Sequence, residues 1–199
     1  CKQIIKRMKR LFDITASFFG IIILSPLLIF IGLWVGLSSK GGVFYKQIRV
    51  GKNNKDFKLY KFRSMRVNSD KQGLLTVGSK DSRITKAGYF IRKYKIDELP
   101  QLFNVLKGDM SFVGPRPEVR RYVDLYSKEQ MKVLSVRPGI TDPASIKYRN
   151  ENDILSSQSN PEEYYIQHIM PDKLQINIDY INTQTFIKDI KIIFQTIFG

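Results

Sequence analysis

The feature that most limits the fold of this chain is an uncharged, apolar stretch from Ile14 to Leu37. The stretch is 24 residues long, and a helix of about 20 apolar residues is enough to cross the hydrocarbon core of a bilayer. A cleaved signal peptide matches it poorly, because the apolar block of such a peptide is shorter and ends at a small-residue cleavage site. The stretch therefore predicts a membrane-associated helix.

Basic residues flank this stretch on both sides, which argues against a simple crossing. They are Lys2, Lys6, Arg7, Lys9 and Arg10 before it, and Lys40, Lys46, Arg49, Lys52 and Lys55 after it. Because Lys and Arg beside membrane segments stay cytoplasmic, a spanning helix would leave one basic flank on the wrong side. Proline kinks a helix, and a serine hydroxyl can bond the carbonyl group that proline frees. We therefore predict a re-entrant helix-break-helix hairpin broken at Ser25 and Pro26, with a kinked spanning helix as the alternative.

The overall composition points to an anionic partner. The 199-residue chain carries a formal net charge of +15, so nucleic acid, a nucleotide or a lipid head group would each be attracted to it. With His168 as its single histidine, the chain cannot supply a multi-histidine metal site, and carboxylates are the better candidates for chemistry. Residues 1–13 form a basic amphipathic lead-in that suits an anionic membrane surface.

Local patterns after residue 40 predict a compact α+β fold that is mainly helical, with a small β element. Apolar and basic residues alternate over 41–67, as in a pair of half-buried strands joined by a turn at 51–54. The other predicted elements are a polar loop at 68–83, helical residues 84–107 broken near Ile96, a rigid extended segment at 115–117, a helix at 118–136, a loop-rich stretch at 142–160, and two helices after Pro161. The last helix, 183–198, is amphipathic and would serve equally as a core helix or an interfacial one.

Two adjacent carboxylates, Asp97 and Glu98, stand out in this basic chain. Asp97 is a good N-cap residue, Pro100 is tolerated in a first helical turn, and Gly108 would end the helix. Near the positive end of a helix both carboxylates would stay ionised and could hold a divalent cation. An ordinary capping pair is the plain alternative.

Several strings in the chain, taken in order, resemble the small monotopic phosphoglycosyl transferases, the bacterial sugar transferase family. The strings are KRLFD at 9–13, Ser25-Pro26, YKFRSM at 60–65, DELPQLFNVLKGDMSFVGPRP at 97–117 and RPGIT at 137–141. The resemblance implies transfer of a sugar-1-phosphate from a UDP-sugar to undecaprenyl phosphate, with release of UMP, as the first membrane step of surface-glycan assembly. It also implies a monotopic protein of the bacterial inner membrane, with a hairpin in 1–40 and a cytosolic catalytic domain with interfacial helices in 41–199.

The resemblance also assigns roles to individual residues. Asp97 would attack the sugar-linked phosphate and form a covalent phosphoryl-aspartate, so that the kinetics are ping-pong. Glu98 would hold Mg²⁺ with Asp97 as a second contact, and proton handling for the acceptor phosphate is its rival catalytic role. The proposed substrate-binding residues are Arg92, Arg116 between Pro115 and Pro117, Lys61, Arg63 and Arg137. For Lys61 and Arg63, binding of membrane head groups is an equal alternative, and Arg137 has a structural role as its alternative.

The chain departs from the family after the RPGIT string. Many relatives continue with GWAQVNGR, whereas this chain has DPASIKYRNE at 142–151, which puts the identity of the sugar in question. We expect an N-acetylated amino sugar on the UDP donor, anionic membrane lipids as further partners and no nucleic acid, with a homodimer as an option for the apolar C-terminal helix. A nucleic-acid-binding module and a non-catalytic membrane scaffold are the competing functions.

Overall fold

One long helix, α1 (Lys2–Ser38), contains the whole apolar stretch and continues through Pro26. The structure is a computed structural model that describes residues 2–69 and 81–198, with side chains from residue 7 onward. Pro26 has no N–H group for the carbonyl oxygen of Ile22, and the hydroxyl of Ser25 donates to that oxygen at 2.7 Å. The predicted serine–carbonyl bond is therefore confirmed. The predicted break into two helices is not confirmed, because this bond satisfies the freed acceptor and the helix runs on.

The two faces of α1 differ in what covers them. Asp13, Ser17, Ile31 and Val35 are buried against the rest of the chain, at the spacing of one helical stripe. The opposite face exposes large apolar side chains, among them Leu11, Phe18, Phe19, Ile23, Ile29, Phe30, Leu33 and Leu37. Of the helices in the described residues, α1 alone is long and apolar enough to cross a membrane.

The predicted strand pair is confirmed as an antiparallel hairpin. Strand β1 (Phe44–Val50) pairs with β2 (Asp56–Phe62) in a register that places Tyr45 opposite Lys61. A short 3₁₀ turn at Lys52–Asn54 joins them, and two of its residues, Asn53 and Asn54, take positive φ angles, as asparagine does more readily than most residues. The predicted loop at 68–83 and the side chains of the lead-in up to residue 6 lie largely outside the described part of the chain.

Short helices make up most of the remaining fold. They are α2 (Lys86–Lys93), α3 (Gln101–Lys107), α4 (Arg120–Val123), α5 (Pro143–Lys147), α6 (Glu151–Ser156), α7 (Pro161–Tyr164), α8 (Met170–Asn182) and α9 (Phe186–Phe198), with 3₁₀ turns at Ile96–Glu98 and Gln130–Ser135 and a π-helical turn at Tyr165–Ile169. The predicted interruption near Ile96 is confirmed. The single helix predicted over 118–136 is wrong, since α4 ends at Val123. The stretch predicted to be loop-rich, 142–160, contains the short helices α5 and α6 as well as loop residues.

A second, parallel pair of strands holds the proline-flanked arginine in place. Strand β3 (Ser111–Val113) pairs with β4 (Gly139–Thr141), and the Gly139 amide donates to the Pro115 carbonyl at 3.0 Å. The two backbones approach so closely that a Cβ atom on Gly139 would lie 2.2 Å from the Gly114 nitrogen. Only glycine fits at this crossing, and the crossing fixes where the 115–117 segment leaves the sheet.

Helix α9 is both a core helix and an exposed one. Its Ile192 side chain packs with Val113 and Tyr180 in a buried cluster, while Ile187 and Ile197 on the same helix are 81% and 65% exposed. The sequence left the choice between a core helix and an interfacial helix open, and the structure gives α9 one face for each role.

Candidate active site

The acidic pair lies on the 3₁₀ turn that precedes α3. Lys95, with a φ angle of 57°, turns the chain sharply after α2, and Ile96–Glu98 follows. The N-cap position of α3 is occupied by Pro100, which has no side-chain cap, so the prediction that Asp97 caps this helix is wrong. The carboxylate of Asp97 is consequently not used by the helix end. Gly108 ends α3 with a φ angle of 96°, as predicted.

Two cations from distant parts of the chain bind Glu98. The Lys61 ammonium group donates to Oε1 of Glu98 at 2.9 Å, and a guanidinium nitrogen of Arg116 donates to the same oxygen. Burial alone would raise the pKa of Glu98, but the charges and hydrogen bonds of Arg116 and Lys61 outweigh it and hold that pKa well below its usual range. Glu98 is therefore a permanent anion that orders two cations.

Asp97 is in a different electrostatic position from its neighbour. It is 5% exposed, and among the described residues no side chain or backbone group forms a hydrogen bond or ion pair with its carboxylate. Burial raises the pKa of Asp97, while the positive charges of Lys61, Arg92 and Arg116 act in the opposite direction. A desolvated carboxylate that is surrounded by cations but bound to none of them has the properties of a nucleophile for a phosphate centre.

Arg116 is held through both its backbone and its side chain. Its amide donates to Oδ2 of Asp142 at 3.1 Å, and its guanidinium group bonds the Ile140 carbonyl as well as Glu98. The charge of Glu98 raises the pKa of Arg116 further above its ordinary value. The flanking prolines restrict this segment as predicted, and the Pro117 carbonyl accepts from Arg49 at 3.0 Å.

Comparison with known proteins decides the family. The model of the bacterial sugar transferase family matches residues 4–199. The chain belongs to this family. A UDP-N-acetylgalactosamine-undecaprenyl-phosphate N-acetylgalactosaminephosphotransferase of Aeromonas hydrophila is 44% identical over 166 residues, which are 81% of this chain and 39% of the relative.

Two further relatives of the bacterial sugar transferase family differ in how much of their length is covered. An uncharacterized sugar transferase of Bacillus subtilis is 40% identical, with 96% of this chain and 85% of the relative aligned. A UDP-glucose:undecaprenyl-phosphate glucose-1-phosphate transferase of Klebsiella pneumoniae is 38% identical, with 96% of this chain and 39% of the relative aligned. The chain thus spans about two fifths of the length of the Aeromonas and Klebsiella proteins.

Two arginines predicted to bind substrate contact other parts of the fold. Arg63 is 5% exposed and donates to the Ser39 carbonyl at 2.6 Å, just after the end of α1. Arg137 donates to the Gly108 carbonyl at 2.7 Å, where α3 ends. Both stabilise helix ends, whose last carbonyl groups lack partners within the helix. The structure thus brings Lys61, Arg92 and Arg116 to the acidic pair, and places Arg63 and Arg137 in structural contacts.

Asp142 is a residue of the site region that the sequence reasoning missed. It is fully buried and accepts from the Ser145 amide at 2.8 Å and from the Arg116 amide. Asp142 also caps α5, with Pro143 in the first turn, and an Asp-Pro pair at this point is a recognisable helix start. This Asp-Pro pair opens the segment 142–151, where the chain departs from the common pattern of its family.

The carboxylates of this site fit a magnesium ion that is bound mostly by substrate. Among the described residues, no three His, Cys, Asp or Glu side chains cluster as a metal site. Mg²⁺ commonly takes only one or two carboxylates, with phosphate oxygens and water completing its shell. The carboxylate of Asp97, which no described residue bonds, would provide such a ligand, whereas Oε1 of Glu98 already accepts from Lys61 and Arg116.

Proposed function

We propose that this chain transfers a sugar-1-phosphate from a UDP-sugar to undecaprenyl phosphate and so begins the assembly of a surface glycan. The names of the Aeromonas and Klebsiella relatives agree on undecaprenyl phosphate as acceptor and differ in the sugar. An N-acetylated amino sugar is our proposed donor group, as in the name of the Aeromonas relative. The observation that carries the proposal is the buried carboxylate of Asp97, which no described residue bonds, next to a Glu98 that orders Lys61 and Arg116.

The proposed reaction has two displacements at one phosphorus atom. An oxygen of Asp97 attacks the sugar-linked phosphate, the bond to the UMP oxygen breaks, and UMP leaves with the electron pair. A phosphate oxygen of undecaprenyl phosphate then attacks the same phosphorus and displaces Asp97, which gives the undecaprenyl-diphospho-sugar. Covalent catalysis of this kind divides one difficult transfer into two easier ones.

The cations around Asp97 would supply the electrostatic part of catalysis. Lys61 and Arg116 are already placed against Glu98, so they need little reorganisation when negative charge builds on the diphosphate oxygens. Arg92, on the last turn of α2, adds a third positive charge near Asp97. Mg²⁺ held by Asp97 and Glu98 would neutralise phosphate charge further when bound.

We place the protein on the cytoplasmic face of the bacterial inner membrane as a monotopic protein. The exposed apolar face of α1 supports membrane association, and the apolar residues that α9 exposes support contact with the interface. Near its start α1 is bonded to α3 through Arg10, and near its end Ile31 and Val35 pack with Phe62 and Ile91. Both ends of α1 therefore join the same folded body, which favours a re-entrant arrangement over a crossing.

The test is detection of the covalent intermediate. The purified protein is incubated with a panel of UDP-sugars in the presence of Mg²⁺ but without lipid acceptor, and its intact mass is measured. We expect a mass increase equal to one sugar phosphate with the correct donor, release of UMP, and loss of both in Asp97→Asn. Asp124→Asn, at an exposed aspartate just after α4, is the matched control and should keep both. A full adduct on Asp97→Asn would rule out this nucleophile.

A further inference from the structure

Gln101, at the start of α3, has a buried side-chain amide nitrogen that bonds no described residue. The residue is 2% exposed, and its side-chain nitrogen forms no hydrogen bond in the described structure. A buried donor without an acceptor destabilises the folded state, and native proteins keep few such groups. An apolar side chain of the same size would avoid that cost. The amide of Gln101 is therefore expected to find an acceptor in another state of the protein.

The backbone places Gln101 one turn after the acidic pair. Leu99 has φ −54° and ψ −34°, and Pro100 has φ −61° and ψ −13°, so the chain winds helically from the 3₁₀ turn into α3. The backbone bonds through this stretch, from Leu99 to Ile96 and from Leu102 to Leu99, span three residues, and side chains three apart share a face in such a winding. Gln101 therefore lies on the face of Glu98, which is the neighbour of Asp97 in the acidic pair.

Neighbours with known contacts bracket Gln101 on this face. One turn ahead, Asn104 bonds the backbone of β2, at the Lys58 carbonyl and the Tyr60 amide. Just before Gln101, Glu98 bonds Lys61 of the same strand. Gln101 therefore lies between two residues that face β2, in the wall of the site.

Asp97 and Gln101 are chemically complementary but do not bond each other. Within the described part of the chain, the carboxylate of Asp97 is an acceptor without a donor, and the amide nitrogen of Gln101 is a donor without an acceptor. A phosphoryl group attached to Asp97 would bring new acceptor oxygens to this face. We propose that Gln101 donates its amide hydrogen to a phosphoryl oxygen of the sugar phosphate carried by Asp97. This inference rests on the proposed function, because it requires the covalent intermediate.

The alternative is a structural amide that merely bonds a buried water molecule. The two roles differ in the sign of their effect on stability. If the water-bonded amide supports the fold, an apolar replacement destabilises the protein and leaves chemistry unchanged. If the amide bonds a phosphoryl oxygen only in the covalent intermediate, the same replacement removes an unsatisfied donor from the free protein and slows the first half-reaction.

The experiment compares Gln101→Leu with the wild-type chain, with lipid acceptor withheld. We expect the midpoint of thermal unfolding to stay equal or rise, and the single-turnover rate of UMP release at saturating UDP-sugar to fall at least tenfold. That fall corresponds to about 1.4 kcal/mol in the activation free energy. The donor concentration for half-maximal rate should change much less, because the bond forms only as the phosphoryl group is transferred.

Two variants complete the design. Gln175→Leu makes the same change at an exposed glutamine of α8 and should leave the rate within twofold of wild type. Gln101→Met keeps the unbranched shape of glutamine without its donor, and it replaces Gln101→Leu if the latter fails to fold. Adduct formation at the wild-type rate in the apolar variant, or a lower unfolding midpoint with a normal rate, would overturn the inference. If the wild-type protein itself forms no adduct, the proposed function fails and the inference falls with it.

Discussion

Residues 97 and 98 carry the same functional group but are bound in opposite ways. Glu98 gives one oxygen to Lys61 and Arg116, whereas the carboxylate of Asp97 is buried without a partner among the described residues. The first arrangement stabilises the folded chain, because removing one member of a buried ion pair leaves charges uncompensated. The second opposes folding, because burial removes part of the hydration of the carboxylate and no described residue bonds it in return.

We expect Glu98→Gln to lower the free energy of unfolding by about 3 kcal/mol at neutral pH. The pKa of Glu98 is lowered in the folded state, so its stabilising effect is present above the ordinary glutamate pKa and is lost as the pH falls toward the folded value. The deficit of the variant should therefore shrink in acid. Urea titration in detergent, followed by the fluorescence of Trp34, the only tryptophan, measures it.

Asp97→Asn, the isosteric change at the neighbouring residue, should raise the free energy of unfolding instead of lowering it. Burial raises the pKa of Asp97, so the folded state disfavours its charge once the pH exceeds the ordinary aspartate pKa. In buffer with a chelator we expect this variant to be more stable than wild type at neutral pH and indistinguishable from it well below that pKa. A loss of stability in Asp97→Asn as large as in Glu98→Gln would show that Asp97 has a bonding partner after all.

At the scale of elements, Asn104 joins α3 to the free edge of β2. Its side chain is fully buried, accepts from the Tyr60 amide at 3.0 Å and donates to the Lys58 carbonyl at 2.8 Å. Lys61 follows on the same strand and Glu98 precedes the same helix. The amide of Asn104 therefore sets the distance across which Lys61 meets Glu98.

Asn104→Leu should destabilise the fold and weaken catalysis together. The change leaves two backbone groups of β2 without partners, at roughly 1–3 kcal/mol for each buried group, so we expect a loss of about 2–4 kcal/mol and a marked fall in UMP release. Lys107→Met, on the exposed side of α3, loses a surface hydrogen bond and a cation–π contact, both with Tyr60, and should change stability by about 1 kcal/mol or less. Equal stabilities of the two variants in the same urea titration would contradict the role given to Asn104.

The sequence predicts well those elements that depend on residues close together in the chain. Alternation of apolar and basic residues is enough to predict β1 and β2, and Gly108 is enough to predict the end of α3. Capping at Asp97 fails as a prediction because the helix starts after Pro100 instead. The pairing of Glu98 with Lys61 and Arg116 depends on tertiary contacts across 37 and 18 residues of sequence, and no local pattern encodes such contacts. The same limit applies to Arg63 and Arg137, because no local pattern indicates their bonds to the Ser39 and Gly108 carbonyls.

For the whole molecule, the orientation of α1 in the membrane determines on which side each of its flanks lies. A helix of this length would extend about 55 Å if straight, more than the roughly 30 Å of a hydrocarbon core. Arg10 donates to the Val105 and Leu106 carbonyls at 2.7 and 2.9 Å, and Ile31 and Val35 pack on the same body. A crossing would carry charged parts of that body, including Lys61 and Glu98, into the bilayer, which is strongly unfavourable.

We therefore expect both flanks of α1 to face the cytoplasm. In a Cys1→Ser background, single cysteines are introduced as Arg7→Cys and Lys40→Cys, on either side of the apolar stretch. A membrane-impermeant maleimide should label both in inverted membrane vesicles and neither in intact spheroplasts. Asp124→Cys, on the surface of the folded body, reports the side on which that body lies and should behave in the same way. If one of the two flanking cysteines is labelled only from outside while Asp124→Cys is labelled only from inside, α1 crosses the membrane. In that case the packing of both its ends on one body does not persist in the bilayer.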